Sequence, residues 1–149
     1  MRSIGVGLYF DVEGNVIVVP MLQDPIGFGR ESCRFIKLKN GYGKKELAEA
    51  IIEAEEISIT NEQEDKNKNF WTEATGIKGY AAFSKRYKCI SINYVLEREG
   101  YHIVAEKRYK DGSYGYDKED IPLRVKEYPG KPSVETIADQ VLEALKIDS

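Results

Sequence analysis

The sequence predicts an α+β fold: a largely antiparallel β-sheet, formed by an N-terminal hairpin and a C-terminal meander, packed against helices with a single layer of helices per face. Segments with alternating apolar residues open the chain and return in its second half, and segments with helical apolar spacing follow each of them. Strands, helices, strands and a last helix are the order of an α+β domain. The 149 residues match the usual size of one domain, and no linker or repeat divides residues 1–149.

The chain opens with a predicted β-hairpin. Apolar residues alternate over residues 6–10, turn residues occupy 13–15, and β-branched residues at 16–19 form the second strand. A loop rich in Gly and Pro then leads to a predicted third strand at Ser32 to Lys37.

Three helices are predicted next. Residues 44–57 are rich in strong helix formers and repeat apolar residues every three or four positions. Residues 61–69 contain no apolar side chain, which indicates a solvated connection. A second helix is expected at Phe70 to Ala74 and a short third helix at Tyr80 to Tyr87.

The second half of the chain predicts a meander. Alternation over residues 90–96, a turn at Glu99-Gly100 and alternation over residues 101–105 indicate a second hairpin. Residues 114–117 are expected to add a third strand. Ile121, Leu123 and Val125 are expected to follow as an edge strand, the position where Pro122 is tolerated.

A last helix is predicted from the N-cap residue Ser133. Its apolar stripe must cover a face of the sheet. The stripe consists of Val134, Ile137, Ala138, Val141, Leu142 and Leu145.

One segment of the chain is strongly acidic. Residues 46–65 carry eight carboxylates and no Lys or Arg, although the net charge of the chain is only −3. Glutamates at 46, 49, 53 and 56 fall within about 80° of arc on a helix and form an acidic stripe, with an apolar residue beside it. We expect this segment to bind a basic protein partner. The predicted contact residues are Glu46, Glu49, Ile52, Glu53, Glu56, Glu62, Glu64 and Asp65.

Two alternatives remain for this segment. The stripe is also what an ordinary solvated helix face looks like, and Ile52 is also explained by a helix that is covered on two sides.

No motif in the sequence marks a reaction centre. His102 is the one histidine, and with the distant Cys33 and Cys89 it cannot complete a structural zinc site. We therefore expect no metal, no cofactor and no catalytic residues. The N-terminal apolar run is too short for a signal peptide or a membrane span, so we expect a cytoplasmic protein without membrane contact.

Other functions stay open as alternatives. Residues 80–88 mix aromatic and basic side chains as nucleic-acid binders do, but a sequence pI near 5.4 argues against direct nucleic-acid binding. The polar loop from Asp24 to Arg30 could serve a small-molecule-binding or regulatory domain. An enzyme of unrecognised type is a third alternative.

Five stretches of the sequence carry a family resemblance. They are GLYFDVEGNVIVVPMLQD, GFGRES, KKELAEAIIEA, FWTEATGIKGYAAFSKRYKCISI and SVETIADQVLEAL, and they span nearly the whole chain. In this order they resemble the immunity proteins of bacterial contact-dependent growth inhibition systems.

The resemblance implies a cytosolic protein that binds the C-terminal toxin domain of a cognate effector and neutralises it. Such toxins are frequently nucleases, which tend to be basic where they meet phosphate. The resemblance supplies no catalytic residues and does not fix which surface contacts the toxin. Assigning the acidic segment to that surface is an inference from its charge.

Overall fold

The computed structural model describes residues 2–65, 67–95 and 100–147. Its elements are β1 Ser3–Phe10, β2 Val16–Gln23, β3 Gly29–Glu31, β4 Ile36–Leu38, α1 Lys44–Thr60, α2 Phe70–Thr75, α3 Tyr80–Ser84, β5 Lys88–Val95, β6 Tyr101–Ala105, β7 Lys107–Arg108, β8 Tyr114–Gly115, α4 Ile121–Arg124, β9 Val125–Tyr128 and α5 Val134–Ala144. A 3-10 turn at Lys118–Asp120 precedes α4. Helices packed against a mostly antiparallel sheet confirm the predicted α+β class.

The main sheet has seven strands in the order β3-β2-β1-β5-β6-β9, with β4 also paired to β2. Its pairings are antiparallel, and Leu8 of β1 lies opposite Val18 on one side and Ile90 on the other. The N-terminal hairpin therefore occupies the interior of the sheet, and the second hairpin extends it from β5.

The turn of the first hairpin is closed by Asp11. Its carboxylate accepts hydrogen bonds from the backbone N–H groups of Glu13 at 3.0 Å and Asn15 at 2.9 Å. Gly14 has a φ of +87° there, a backbone conformation that glycine adopts without a steric penalty.

The two faces of the sheet are covered by different helices, because successive side chains of a strand point to opposite faces. On the first face, Val6 and Leu8 are buried in a core shared with α1 and α5. On the second face, Tyr9 packs against Phe70 of α2 and Phe83 of α3 in a smaller aromatic core. Each face thus carries one layer of helices.

Helix α1 extends three residues beyond its predicted end at Ile57. The Glu46 carboxylate accepts a hydrogen bond from the Gly43 N–H at 3.2 Å and closes the first turn. At the other end Asn61 adopts a left-handed conformation, and its amide side chain exchanges hydrogen bonds of 2.8 and 3.0 Å with the backbone of Gln23. These bonds fix the end of α1 to β2.

The predicted third strand at Ser32 to Lys37 is wrong in its bounds. Two short strands, β3 and β4, pair with β2 instead, and the chain between them is irregular. The Ser32 hydroxyl and the Cys33 N–H both donate to the Glu64 carboxylate, so side-chain bonding to a distant segment interrupts the strand.

The predicted meander is wrong in its third strand. Residues 114–115 pair with β7 in a separate two-stranded sheet rather than with β6. The edge strand beside β6 is β9, and residues 121–124, which were expected to start that strand, form α4. Pro122 fits there because the first helical turn needs no N–H donor at that position.

Two further predictions concern element ends. Helix α3 ends at Ser84, so the expected continuation to Tyr87 is wrong, and a turn leads into β5. Leu96 and the predicted turn residue Glu99 lie outside the described residues.

Helix α5 begins where the sequence predicts it. The Ser133 hydroxyl accepts a hydrogen bond from the Thr136 N–H at 3.2 Å as N-cap. Ile137 and Val141 are completely buried, whereas Leu142 is only partly buried. The inner side of the helix thus contributes directly to the first core.

We predict that Ile137→Ala lowers the free energy of unfolding by about 2–5 kcal/mol, because it leaves a cavity in the first core. Glu135→Ala on the exposed side of the same helix is the matched control and should change stability by less than about 0.5 kcal/mol. Urea unfolding of both variants measures the difference, and equal stabilities would show that α5 is not integral to the core.

Candidate protein-binding surface

The acidic stripe lies on the exposed face of α1. Glu46 closes the helix N-terminus, while Glu49, Glu53 and Glu56 are exposed and form no ion pair with the described part of the chain. Three exposed carboxylates that form no ion pair within the described residues create a local negative potential. We call these three residues the acidic face.

Ile52 stands next to the acidic face and is 37% exposed. It borders an apolar groove of about 350 Å³ between α1 and α5. Ala48 and Val134 line the groove with it, and the charged side chains around them belong to Lys44, Lys45, Glu49 and Glu135. An apolar depression beside carboxylates is suited to an apolar anchor that is flanked by basic residues.

Glu55 belongs to the acidic segment but not to its surface, because only 1% of the residue is exposed. The Tyr101 hydroxyl donates to its carboxylate at 3.2 Å, and Lys131 Nζ makes an ion contact with the other oxygen at 3.2 Å. Burial and the nearby Glu55 charge raise the pKa of Tyr94 to about 12. Glu55 thus ties α1 to β6 and to the chain before α5.

The carboxylates that follow α1 are bound to the loop between β3 and β4. Glu64 accepts hydrogen bonds from Cys33 N at 2.7 Å and Arg34 Nε at 2.6 Å, besides that from Ser32. Glu62 lies 3.3 Å from Arg34 Nη1. Glu62 and Glu64 are therefore both paired with Arg34, whereas the three carboxylates of the acidic face form no ion pair within the described residues.

Asp65 also accepts hydrogen bonds from other parts of the chain. Its carboxylate accepts the Asn67 N–H at 2.9 Å, and its carbonyl accepts Arg30 Nη2 at 2.7 Å. The predicted contact residues thus fall into two groups, one free on α1 and one engaged with β3 and the loop that follows it.

The loop between β2 and β3 uses its polar atoms to close a turn. The Asp24 carboxylate accepts hydrogen bonds from Ile26 N at 3.0 Å and Phe28 N at 2.9 Å. Arg30 at the other end of the loop donates to the carbonyls of Asp65 and Lys68, so the polar side chains at both ends take part in hydrogen bonds within the chain.

The basic and aromatic segment at residues 80–88 contributes mainly to the second core. Phe83 is completely buried and stacks on Tyr87 with ring centroids 4.5 Å apart. Tyr80 packs against Trp71 at 4.9 Å. These rings are engaged with one another and are not displayed as a platform for bases.

A cavity of about 330 Å³ opens on the second face of the sheet, away from all of the predicted contact residues. We call it the second-face cavity. Residues that line it include Gly7, Tyr9, Tyr80, Ser91, Glu106 and Tyr114. A signal was present in the sequence, since β1 and β5 alternate large apolar residues with Gly5, Gly7, Ser91 and Asn93.

The described residues were compared with what a metal site and a membrane-spanning helix require. Within residues 2–65, 67–95 and 100–147, no three His, Cys, Asp or Glu side chains come together as metal ligands would. Among the described helices, none combines the length and the apolar character needed to span a bilayer.

Solved structures share this fold, although no family model and no curated protein sequence matches the chain. A protein of unknown function from Neisseria meningitidis superposes with a TM-score of 0.67 at 13% identity, covering 97% of this chain and 94% of that one. A chain of the CdiA-CT/CdiI toxin and immunity complex from Yersinia pseudotuberculosis superposes with a TM-score of 0.58 at 12% identity, covering 97% of both. At such identities the likeness concerns the fold.

We predict that Glu64→Gln lowers stability by about 1–3 kcal/mol at neutral pH, because Glu64 accepts charge-assisted hydrogen bonds in a half-buried site. Burial alone would raise its pKa, but hydrogen bonds from Ser32, Cys33 and Arg34 lower it below the ordinary value of 4.5. This stabilisation is present above that value and is lost as pH falls through the lowered pKa.

The difference between wild type and Glu64→Gln should therefore be constant above about pH 5.5 and shrink below pH 4.5. Urea unfolding across pH measures it. Glu62→Gln is the control, since Glu62 is 75% exposed and contacts the same arginine. A difference that does not depend on pH would contradict a charged role for Glu64.

Proposed function

We propose that the protein is a non-catalytic immunity protein that binds the C-terminal toxin domain of a contact-dependent growth inhibition effector and neutralises it. The observation that carries the proposal is the acidic face of α1, which is exposed, unpaired within the described residues and next to an apolar groove. The fold it shares with a chain of a toxin and immunity complex supports the proposal, as does the sequence resemblance.

The charge of the acidic face suggests the chemistry of the partner. A nuclease needs a basic surface to hold the phosphates of its substrate. A surface with three free carboxylates would be attracted to that region and compete with the nucleic acid for it. We therefore propose that the toxin domain is a basic nuclease that acts in the cytoplasm, where the immunity protein would meet it.

The groove beside Ile52 would add affinity that charge alone does not provide. Exposed charges mainly accelerate association, whereas an apolar side chain buried in a groove slows dissociation. A toxin residue such as Leu or Met, flanked by Lys or Arg, would fit the groove between α1 and α5.

The state of the thiols supports a function without catalysis. Cys33 and Cys89 are free, and burial raises the pKa of both. A thiol with a raised pKa is a poor nucleophile at neutral pH. His102 Nε2 lies 3.6 Å from a carboxylate oxygen of Glu127 on the neighbouring strand β9.

We predict that the purified protein forms a one-to-one complex with the toxin domain of the effector encoded beside its gene, and that co-expression protects cells from that domain. Analytical ultracentrifugation and growth curves measure the two effects. An unrelated basic nuclease domain is the control for nonspecific charge attraction. Failure of the cognate pair to associate or to protect would reject the proposed function.

We predict that reversing Glu49 and Glu53 to Lys slows association with the toxin domain by about tenfold or more at low salt. The gap should narrow toward 1 M salt, where the Debye length is about 3 Å. Stopped-flow or biosensor kinetics across a salt series measure it.

The matched control is Glu13→Lys with Glu119→Lys, because it changes net charge equally at exposed positions away from α1. If both double variants associate at the same rate, the effect comes from net charge and the acidic face is not the interface.

A further inference from the structure

The second-face cavity has a floor that is unusual for the interior of a sheet. Gly7 of β1 and Ser91 of β5 face each other there, whereas Leu8 and Ile90 on the other side of the same strands are buried in the first core. A Cβ atom at residue 7 would lie 3.0 Å from the Tyr9 ring. Glycine therefore allows that ring to lie across the floor and form one wall.

The Glu106 carboxylate lines the cavity, and the Glu31 carboxylate lies behind its wall, in contact with Tyr9. The Ser91 hydroxyl donates to Glu106 Oε1 at 2.7 Å, and the Tyr9 hydroxyl donates to Glu31 Oε2 at 3.3 Å. Glu31 of β3 sits opposite Met21 of β2, and Met21 is one of the residues that line the cavity. Both carboxylates are half-buried, so water solvates them only in part.

The electrostatics of these carboxylates favour a cation. Burial raises the pKa of Glu31 and of Glu106, although hydrogen bonds from Tyr9 and Ser91 act in the opposite direction. Arg124 lowers the pKa of Glu106, whereas within the described residues Glu31 forms no ion pair. Glu31 is therefore the carboxylate that would gain most from a positive ligand.

The other walls of the cavity are neutral. Burial, with smaller contributions from nearby negative charge, raises the pKa of Tyr9, Tyr80, Tyr114 and Cys89. Arg108 donates to Ser84 Oγ at 2.9 Å, and its charge acts against the rise in the pKa of Tyr114. The cavity thus combines three tyrosine rings with carboxylate acceptors, a combination that holds cations through charge and ring contact.

We propose that the second-face cavity binds an organic cation, an alkylammonium or guanidinium group held between Glu31, Glu106 and the rings of Tyr9, Tyr80 and Tyr114. Its volume of about 330 Å³ lies at the lower end of the range of small-ligand sites. The cation is either a free amine or a Lys or Arg side chain of a bound protein. The site is on the opposite face of the sheet from α1. Its existence does not rest on the proposed function, and only the assignment of the cation to a toxin side chain does.

The test is a titration of the ¹⁵N-labelled protein with n-butylammonium chloride and with butylguanidinium chloride at constant ionic strength. We expect saturable shifts of amides around Gly7, Ser91 and Glu106, and weaker binding as pH falls through the raised carboxyl pKa values. Pentanoate, of similar length and opposite charge, should give none. Absence of saturation with both cations, or equal binding of pentanoate, would overturn the proposal.

Two variants locate the site. Glu31→Gln should weaken cation binding by about tenfold or more, while the exposed Glu119→Gln should not change it. Asn93 is exposed and lines the cavity, so the larger ring of Asn93→Phe should fill the cavity and abolish cation binding. This variant tests the site even if Glu31→Gln does not fold. Unchanged affinity in a folded Glu31→Gln or Asn93→Phe protein would overturn the proposal.

The source of the cation is decided by competition. If the toxin domain displaces n-butylammonium from the wild type, the natural ligand is a Lys or Arg side chain of that domain. If both bind together, the toxin domain does not supply the cation and the cavity stays open to a free amine in the complex. Either outcome supports a cation site.

Discussion

Strand β1 is hydrogen-bonded on both edges and covered on both faces, and this position constrains the rest of the molecule. Its alternate residues have to satisfy two different environments, with Val6 and Leu8 against α1 and α5 and Tyr9 against α2 and α3. The small residues at 5 and 7 on the second side leave room that the aromatic side chains only partly fill. The large first core and the second-face cavity are thus two consequences of one alternating strand.

Local signals were sufficient for the elements that depend on local chemistry. The first hairpin, α1 and α5 were predicted because turn residues, helix formers and an N-cap serine act within a few positions. The strands that were predicted wrongly are those whose pairing depends on groups far away in the sequence. The Glu64 carboxylate binds residues about thirty positions earlier and interrupts a strand. Strand β9 takes the place beside β6 where residues 114–117 were expected as the third strand of the meander.

The candidate surface was predictable in part for the same reason. Helical spacing located the acidic face on α1, but the neutralisation of Glu62 and Glu64 by Arg34 could not be read from a segment without basic residues. The burial of Glu55 could be inferred from the sequence. Leu47, Ile51 and Glu55 follow one another at four-residue spacing, so they lie on the same side of α1. A carboxylate in line with buried residues indicates a buried ion contact, which Lys131 provides.

The packing of Trp71 gives the protein an intrinsic optical reporter. It is the one tryptophan of the chain, and its ring stands 4.9 Å from Tyr80, which lines the second-face cavity. Its indole N–H donates to the Lys78 carbonyl at 3.2 Å, which ties its environment to the short segment between α2 and α3. A rearrangement of the cavity wall will therefore shift tryptophan emission, whereas an event confined to the exposed side of α1 will leave that emission unchanged, so unlabelled protein distinguishes the two faces.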